Sequence, residues 1–133
     1  MLPILGLEVS MTIIEAINRV DALKPNAFTQ TEKVEWLSML DGMVKKLIID
    51  THEGGDDVMF NGYDESTPMD TELLIPYPYD DCYLTWLESK ISYHNAEYAK
   101  YNNAIIRFND TYKEFSNEYN RNHMPKGKAI KYF

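Results

Sequence analysis

The chain of 133 residues has a single cysteine and lacks an apolar run long enough to span a membrane. Its one cysteine, Cys82, excludes an internal disulfide framework and favours a reducing compartment. Cys82 stands between Asp81 and Tyr83, where a thiolate is disfavoured, so we expect a buried structural thiol. The apolar opening MLPILGLEVSM has no basic n-region and is too short to span a bilayer. We therefore expect neither a signal peptide nor a membrane partner.

Signatures of catalysis and metal binding are also missing from the sequence. No serine or cysteine nucleophile has a histidine at a recognisable spacing, and there is no glycine-rich phosphate loop. The segment HEGGDD at 52–57 matches no calcium loop, and we interpret it as a solvated loop that follows a helix. The sequence thus predicts no enzyme activity, no metal site and no cofactor.

Basic residues are absent from residues 47–89, which carry eleven acids instead. The order reverses in a basic C-terminal tail, 121–133, which has no acid and contains Arg121, Lys126, Lys128 and Lys131. A net charge of -8 repels a polyphosphate, which argues against sequence-specific DNA binding. Two interpretations stay open: a solvated acidic face with a disordered tail, or attraction between the tail of one copy and the acidic loop of the next.

The first helix is expected at residues 13–22. Thr12 is a suitable N-cap, Glu15 stands three residues later as in a capping box, and Pro25 limits the far end. Residues 1–11 are interpreted as a flexible N-terminal arm. For the first ten of them, a misassigned upstream start is the alternative.

A second helix is expected at residues 32–51, capped by Thr29 or Thr31. Its apolar residues form one broad face that we expect to be mostly buried: Val34, Trp36, Leu37, Met39, Leu40, Met43, Val44, Leu47 and Ile48. Gly42 in the helix interior costs about 1 kcal/mol relative to alanine. That cost indicates either another backbone passing close by or a local bend.

Residues 52–79 lose helical periodicity and form a long acidic loop. Its candidate surface acids are Asp56, Asp57, Asp64, Glu65 and Asp70. The Asn-Gly pair at 61–62, flanked by apolar residues, predicts a short hairpin. Ordered loops of this length are often functional, so the acidic loop is a candidate interaction surface.

Residues 80–119 contain neither proline nor glycine and predict one long C-terminal helix. Its apolar seam alternates gaps of three and four without a slip, through Leu84, Leu87, Ile91, His94, Tyr98, Tyr101, Ile105, Phe108, Tyr112, Phe115 and Tyr119. This is a heptad pattern. A continuous helix would be about 60 Å long at 1.5 Å per residue. Asn102-Asn103 is the expected break if the helix is two.

The two halves of this helix are expected to differ in role. Up to Tyr93 a second apolar stripe, Tyr79, Tyr83, Trp86 and Tyr93, lies beside the seam and indicates an intramolecular three-helix core. His94 is expected to be a hydrogen-bonded core residue. Beyond it the tyrosine-rich seam suits contacts between subunits. The candidate interface comprises Tyr98, Tyr101, Ile105, Phe108, Tyr112, Phe115, Tyr119, Arg121, Lys126, Lys128 and Lys131.

Together these patterns predict an all-α fold, a small helical bundle in one domain at residues 12–120. Six segments then carry a resemblance: WLSMLDG at 36–42, FNGY at 60–63, LLIPYPYD at 73–80, YAKYNN at 98–103, FN at 108–109 and NRNHMP at 120–125. The chain resembles, over residues 12–125, the head-tail connector proteins of tailed bacteriophages and prophages of Gram-positive bacteria, also called adaptor or head-completion proteins. None of these segments contains a catalytic or ligand-binding motif, so the resemblance rests on their combination.

The resemblance implies a structural virion protein. It would form a homo-oligomeric ring on the portal protein and link the capsid to the head-closure protein or tail. DNA would pass through the channel non-specifically, and the protein would sit at the head-tail junction after assembly in the bacterial cytoplasm. The alternative is a non-enzymatic coiled-coil assembly chaperone or regulator that binds a partner helix along the seam.

Overall fold

The computed structural model describes residues 9–127, and four α-helices lie within them. They are α1 (Ile13–Leu23), α2 (Gln30–Val44), α3 (Cys82–His94) and α4 (Tyr98–Asn122). A π-helical turn extends α2 over Lys45–Ile49, and 3-10 turns occupy Gly55–Asp57 and Tyr79–Asp81. The predicted all-α bundle is confirmed. None of these helices has both the length and the apolar character needed to cross a membrane.

Capping boxes set the starts of α1 and α2. The Thr12 hydroxyl accepts from the Glu15 N–H at 3.2 Å, and the Glu15 carboxylate accepts from the Thr12 N–H at 2.9 Å. The same exchange joins Thr29 and Glu32 at 3.1 and 2.8 Å. The box at Thr12 is therefore confirmed, and Thr29 is the cap that α2 uses.

The predicted three-helix core is confirmed by the packing of α1, α2 and α3. Its fully buried side chains include Ile13, Val20, Leu37, Leu40, Val44, Tyr83, Leu87 and Ile91. Cys82 is also fully buried, and burial raises the pKa of its thiol well above the ordinary value. The prediction of a structural thiol is confirmed.

The predicted long C-terminal helix is confirmed as α4, but its extension as a single helix over residues 80–119 is wrong, because the chain turns back between α3 and α4. Ala96 in the turn has a φ of +60°, the left-handed conformation. The turn lies ahead of the predicted break, and Asn102 and Asn103 both lie inside α4. The two helices form an antiparallel hairpin. Its aromatic contacts join Tyr93 to Tyr101, Trp86 to Phe108 and Tyr79 to Phe115. From one contact to the next, the position moves back seven residues through α3 and the turn before it, and forward seven residues along α4.

The acidic loop pairs with the N-terminal segment through isolated bridges and hydrogen bonds. The short hairpin predicted around residues 61–62 is wrong, because the described residues contain no strand. The Leu73 N–H donates to the Met11 carbonyl at 3.0 Å, and the Tyr77 N–H donates to the Val9 carbonyl at 2.7 Å. Met11 is buried. Of the arm predicted at residues 1–11, residues 9–11 are thus packed on the subunit, and the others lie outside the described residues.

The backbone comes close to another segment at Gly55 and not at Gly42, where the sequence predicted it. A side-chain carbon at Gly42 would meet only the Phe60 ring, at 4.0 Å, so the backbone approach predicted there is wrong. At Gly55 the same carbon would overlap the carbonyl of Ile49. The loop therefore closes onto the end of the π-helical turn at Gly55.

Candidate functional site

A buried carboxylate ties the acidic loop to the helices. Asp41 of α2 is fully buried and accepts hydrogen bonds from the Tyr63 hydroxyl at 2.5 Å, the Tyr83 hydroxyl at 2.5 Å and the Leu74 N–H at 3.0 Å. The Tyr83 hydroxyl in turn accepts from the Ile75 N–H at 2.7 Å. This Asp41 network thus joins α2, α3 and two points of the loop.

Burial dominates the electrostatics of the Asp41 network. It raises the pKa of Asp41 to about 6, although the hydrogen bonds from Tyr63, Tyr83 and the Leu74 N–H offset part of the rise. Burial, and the nearby Asp41 charge, also raise the pKa of both tyrosine hydroxyls, which therefore remain neutral donors. All donors come from the chain itself, so the network fixes the loop and is a structural tie.

A second tie, the His52 clasp, joins the end of α4 to the π-helical turn. His52 is buried, with Nδ1 2.6 Å from the Ile48 carbonyl oxygen and Nε2 2.6 Å from Asn120 Oδ1. The Tyr119 ring meets His52 edge-on at 5.0 Å between centroids, and His123 stacks on Tyr119 at 3.8 Å. The expected solvated loop at 52–57 is therefore wrong for His52, whereas its acids are exposed.

The basic tail folds onto its own subunit as far as the structure describes it. The Glu53 N–H donates to the Met124 carbonyl at 2.7 Å, and the Lys126 N–H donates to the Thr51 carbonyl at 2.9 Å. Lys126 Nζ also pairs with Asp56 at 3.2 Å. For this pair, the attraction expected between neighbouring copies acts within one chain. Lys128 and Lys131 lie outside the described residues.

The candidate interface on the seam divides by burial. Phe108 and Phe115 are buried against α3 and the turn before it, so the intersubunit role expected for them is wrong. The half-buried members are Tyr101, Ile105, Tyr112 and Tyr119, and Tyr98 is exposed. Arg121 pairs with Glu118 of the same helix. The seam of α4 thus mainly serves the hairpin.

His94 departs from its expected place in the core. It is exposed, and its ring stacks on Trp36 at 5.5 Å between centroids with an interplanar angle of 7°. Because α3 ends at this residue, His94 closes the end of the three-helix core from outside.

The other acids of the candidate loop surface are exposed, as expected: Asp57, Asp64, Glu65 and Asp70. Asp64 accepts from the N–H and the hydroxyl of Ser66 at 2.8 and 2.7 Å, and these bonds lower the pKa of its carboxyl. Asp64 and Glu65 line a cleft of about 540 Å³ between the loop and the start of α2, together with Glu35. The cleft carries negative charge on both walls.

An apolar groove on the outer side of α2 was missed by the sequence prediction, which placed its residues in the core. Met39, Met43 and Leu47 are 51%, 37% and 61% exposed. With Gly42, Lys46 and Trp86 they line a groove of about 400 Å³. Their spacing of four residues is a stripe beside the core stripe, and this second stripe is the signal that would have found the groove.

Comparison of the chain with protein-family models, with curated proteins and with solved structures finds no match in any of the three. Within residues 9–127, no group of three or more histidine, cysteine, aspartate or glutamate side chains is placed to hold a metal ion.

Proposed function

We propose that this chain is the subunit of a head-tail connector ring, which binds the portal protein of a tailed phage and links the capsid to the head-closure protein or tail. One observation carries the proposal. Four of the six segments that resemble connector proteins meet at the two buried ties, so the resemblance falls on residues that determine the fold.

The Asp41 network draws on three of these segments. Asp41 comes from 36–42, Tyr63 from 60–63, and the Leu74 N–H from 73–80. Ser38, also in 36–42, accepts from the Tyr63 N–H at 2.9 Å. These segments lie far apart in sequence, and each supplies a partner that the others need.

The His52 clasp draws on the segment at 120–125. Asn120 holds the buried His52 ring, and the Met124 carbonyl accepts from the Glu53 N–H. The segment therefore determines where α4 ends and how the tail returns to the loop. The segment that carries the resemblance at this end thus takes part in the second tie.

The charge of the subunit agrees with a place beside passing DNA. The chain carries a net charge of -8, and its loop exposes Asp57, Asp64, Glu65 and Asp70. A surface of this sign repels phosphates and displaces few counterions, so DNA would slide past it without binding.

The coiled-coil chaperone or regulator is the weaker proposal. It requires the seam of α4 to be open to a partner helix. Phe108 and Phe115 are 6% and 3% exposed and pack within the subunit, so the seam has already been covered. A partner helix would first have to separate α3 from α4.

The test is assembly with a portal protein of a tailed phage. We expect the mixed proteins to give a ring of this chain on the portal, measured by native mass spectrometry and seen by electron microscopy. A chain that stays monomeric and never joins the portal, at any concentration or ionic strength, would refute the proposal.

A truncation pair tests the part that the tail plays in assembly. Removal of residues 121–133 deletes Met124 and Lys126 and hence part of the clasp, so we expect weaker ring formation. Removal of 128–133 alone is the matched control, because it leaves those contacts in place. Equal ring formation by both truncated proteins and the full chain would contradict a role for the tail.

A further inference from the structure

The apolar groove is a surface that the fold of one subunit leaves uncovered. Met39, Met43 and Leu47 present three exposed apolar side chains on successive turns of one helix, with Trp86 as the floor. Contiguous apolar surface of this kind marks an interaction site on a soluble domain. Methionine side chains are flexible and polarisable, so they adapt to a partner's shape.

The rim of the groove is positive on a strongly negative protein. Lys46 lines it, and Lys90 Nζ lies 4.5 Å from the centre of the Trp86 ring. Within residues 9–127 neither lysine has a carboxylate at ion-pair distance. Two grooves facing each other across a two-fold axis would bring lysines against lysines. The positive charge of Lys46 and Lys90 therefore favours contact between the groove and an acidic surface elsewhere on the partner copy.

A face of that kind lies on the same chain, at the edge where the loop meets the start of α3. Tyr77 is 72% exposed, and the neighbouring Val9 is 44% exposed. Asp81 is exposed on the same edge, and its side chain makes no capping hydrogen bond. Glu15 and Asp80 outnumber Arg19 in the remaining lining, so the edge is net negative. An aromatic side chain flanked by a carboxylate complements an apolar groove flanked by lysines.

The two surfaces share no residue. The groove is lined by α2, the turn that extends it and Trp86 of α3, whereas the acidic edge is lined by the N-terminal segment, α1 and residues 77–81. A contact between two unlike faces of identical subunits repeats from copy to copy, and it gives a ring when the rotation between copies closes and an open filament when it does not. We infer that Tyr77 of one copy inserts into the groove formed by Met39, Met43, Leu47 and Trp86 of the next, with Asp81 facing Lys46 and Lys90. The closure of this contact into a ring rests on the proposed function.

Disulfide capture between two differently marked copies tests the contact. One preparation carries Met43→Cys and the other Tyr77→Cys, both at exposed positions, while the native Cys82 is fully buried. The mixture is oxidised as concentrated free protein and again as portal-bound rings. We expect a linked dimer in the mixture and none in either preparation alone. The control replaces the Tyr77→Cys protein with Leu23→Cys, which is 62% exposed and lies on neither surface, and should give no dimer.

Charge reversal gives a second measurement on the same contact. Lys46→Glu should weaken self-association at least tenfold, and Asp81→Lys in the same chain should restore most of it, measured by sedimentation equilibrium. Failure of the second change to restore association would overturn the pairing of these charges.

The outcomes separate this contact from the connector proposal. Rings on the portal without the 43–77 link would overturn the contact and leave the connector proposal in place. A 43–77 link in a chain that never joins the portal would support the contact and overturn the connector proposal. No link in either the free protein or the rings overturns the contact.

Discussion

Asp41 should make the stability of this subunit fall as the pH rises through the weakly acidic range. Burial raises its pKa from 3.8 to about 6 in the folded chain. Between those values the folded state holds a proton that the unfolded state has released. The free energy of unfolding therefore decreases as the pH rises from about 4 to 6, and the contribution is constant above that range.

The magnitude follows from the size of the shift. A change from 3.8 to about 6 corresponds to about 3 kcal/mol, since each pKa unit is worth about 1.4 kcal/mol. Asp41→Asn removes the titrating group and keeps one oxygen that can accept from the Leu74 N–H or a tyrosine. At pH 4 the carboxyl of the unfolded chain is already partly ionised, so the unfolding free energy of the native chain minus that of the variant should be about 2 kcal/mol larger at pH 4 than at pH 7.5.

Urea unfolding, followed by circular dichroism at pH values between 4 and 7.5, measures this difference. Comparing the two proteins at each pH removes the contributions of the other titrating groups. Asp57→Asn at an exposed position is the matched control, and its curve should run parallel to that of the native chain. A difference between the native chain and Asp41→Asn that stays constant over this range would refute the reasoning.

Four further substitutions test the hairpin and the clasp by thermal and urea unfolding. Phe108→Ala should cost about 3–5 kcal/mol, because it empties a buried site in the hairpin, and a loss below 1 kcal/mol would contradict that burial. Asn120→Ala should cost about 1–3 kcal/mol, since it leaves a buried ring nitrogen of His52 unpaired, and should speed proteolysis of the tail. Ala96→Gly should stabilise by about 1 kcal/mol, because the turn needs a positive φ. Ala99→Gly inside α4 should instead destabilise by about 0.5–1 kcal/mol, and equal losses at both sites would mean an unbroken helix.

Features set by neighbouring residues were predictable from the sequence. The start of α1 depends on Thr12 and Glu15, three positions apart, and the start of α2 on Thr29 and Glu32. The apolar faces of α1 and α2 follow the helical period, so most core residues follow too. The predicted burial of Cys82 also needed only its immediate neighbours.

Features set by distant residues were not predictable in the same way. The partners of Asp41 lie at least 22 positions away, and nothing around WLSMLDG indicates whether its acid faces water or a tyrosine. His52 meets Asn120 across 68 positions, so a segment rich in acids and glycine concealed a buried histidine. Two apolar stripes on α2 were merged into one buried face, because periodicity alone does not say which stripe finds a partner.

The hairpin explains why an unbroken heptad pattern did not mean a long helix. Each arm of an antiparallel pair repeats every seven residues, so the pattern runs through the turn unchanged when the turn keeps the spacing. The stripe of Tyr79, Trp86 and Tyr93 packs against the seam of α4. That stripe therefore ends where the chain reverses. Within residues 9–127 the longest helix is then 25 residues, about 37 Å, and no helix there reaches 60 Å. Since the seam is used within the chain, the proposed assembly would use other surfaces, and the apolar groove is one that the fold leaves open.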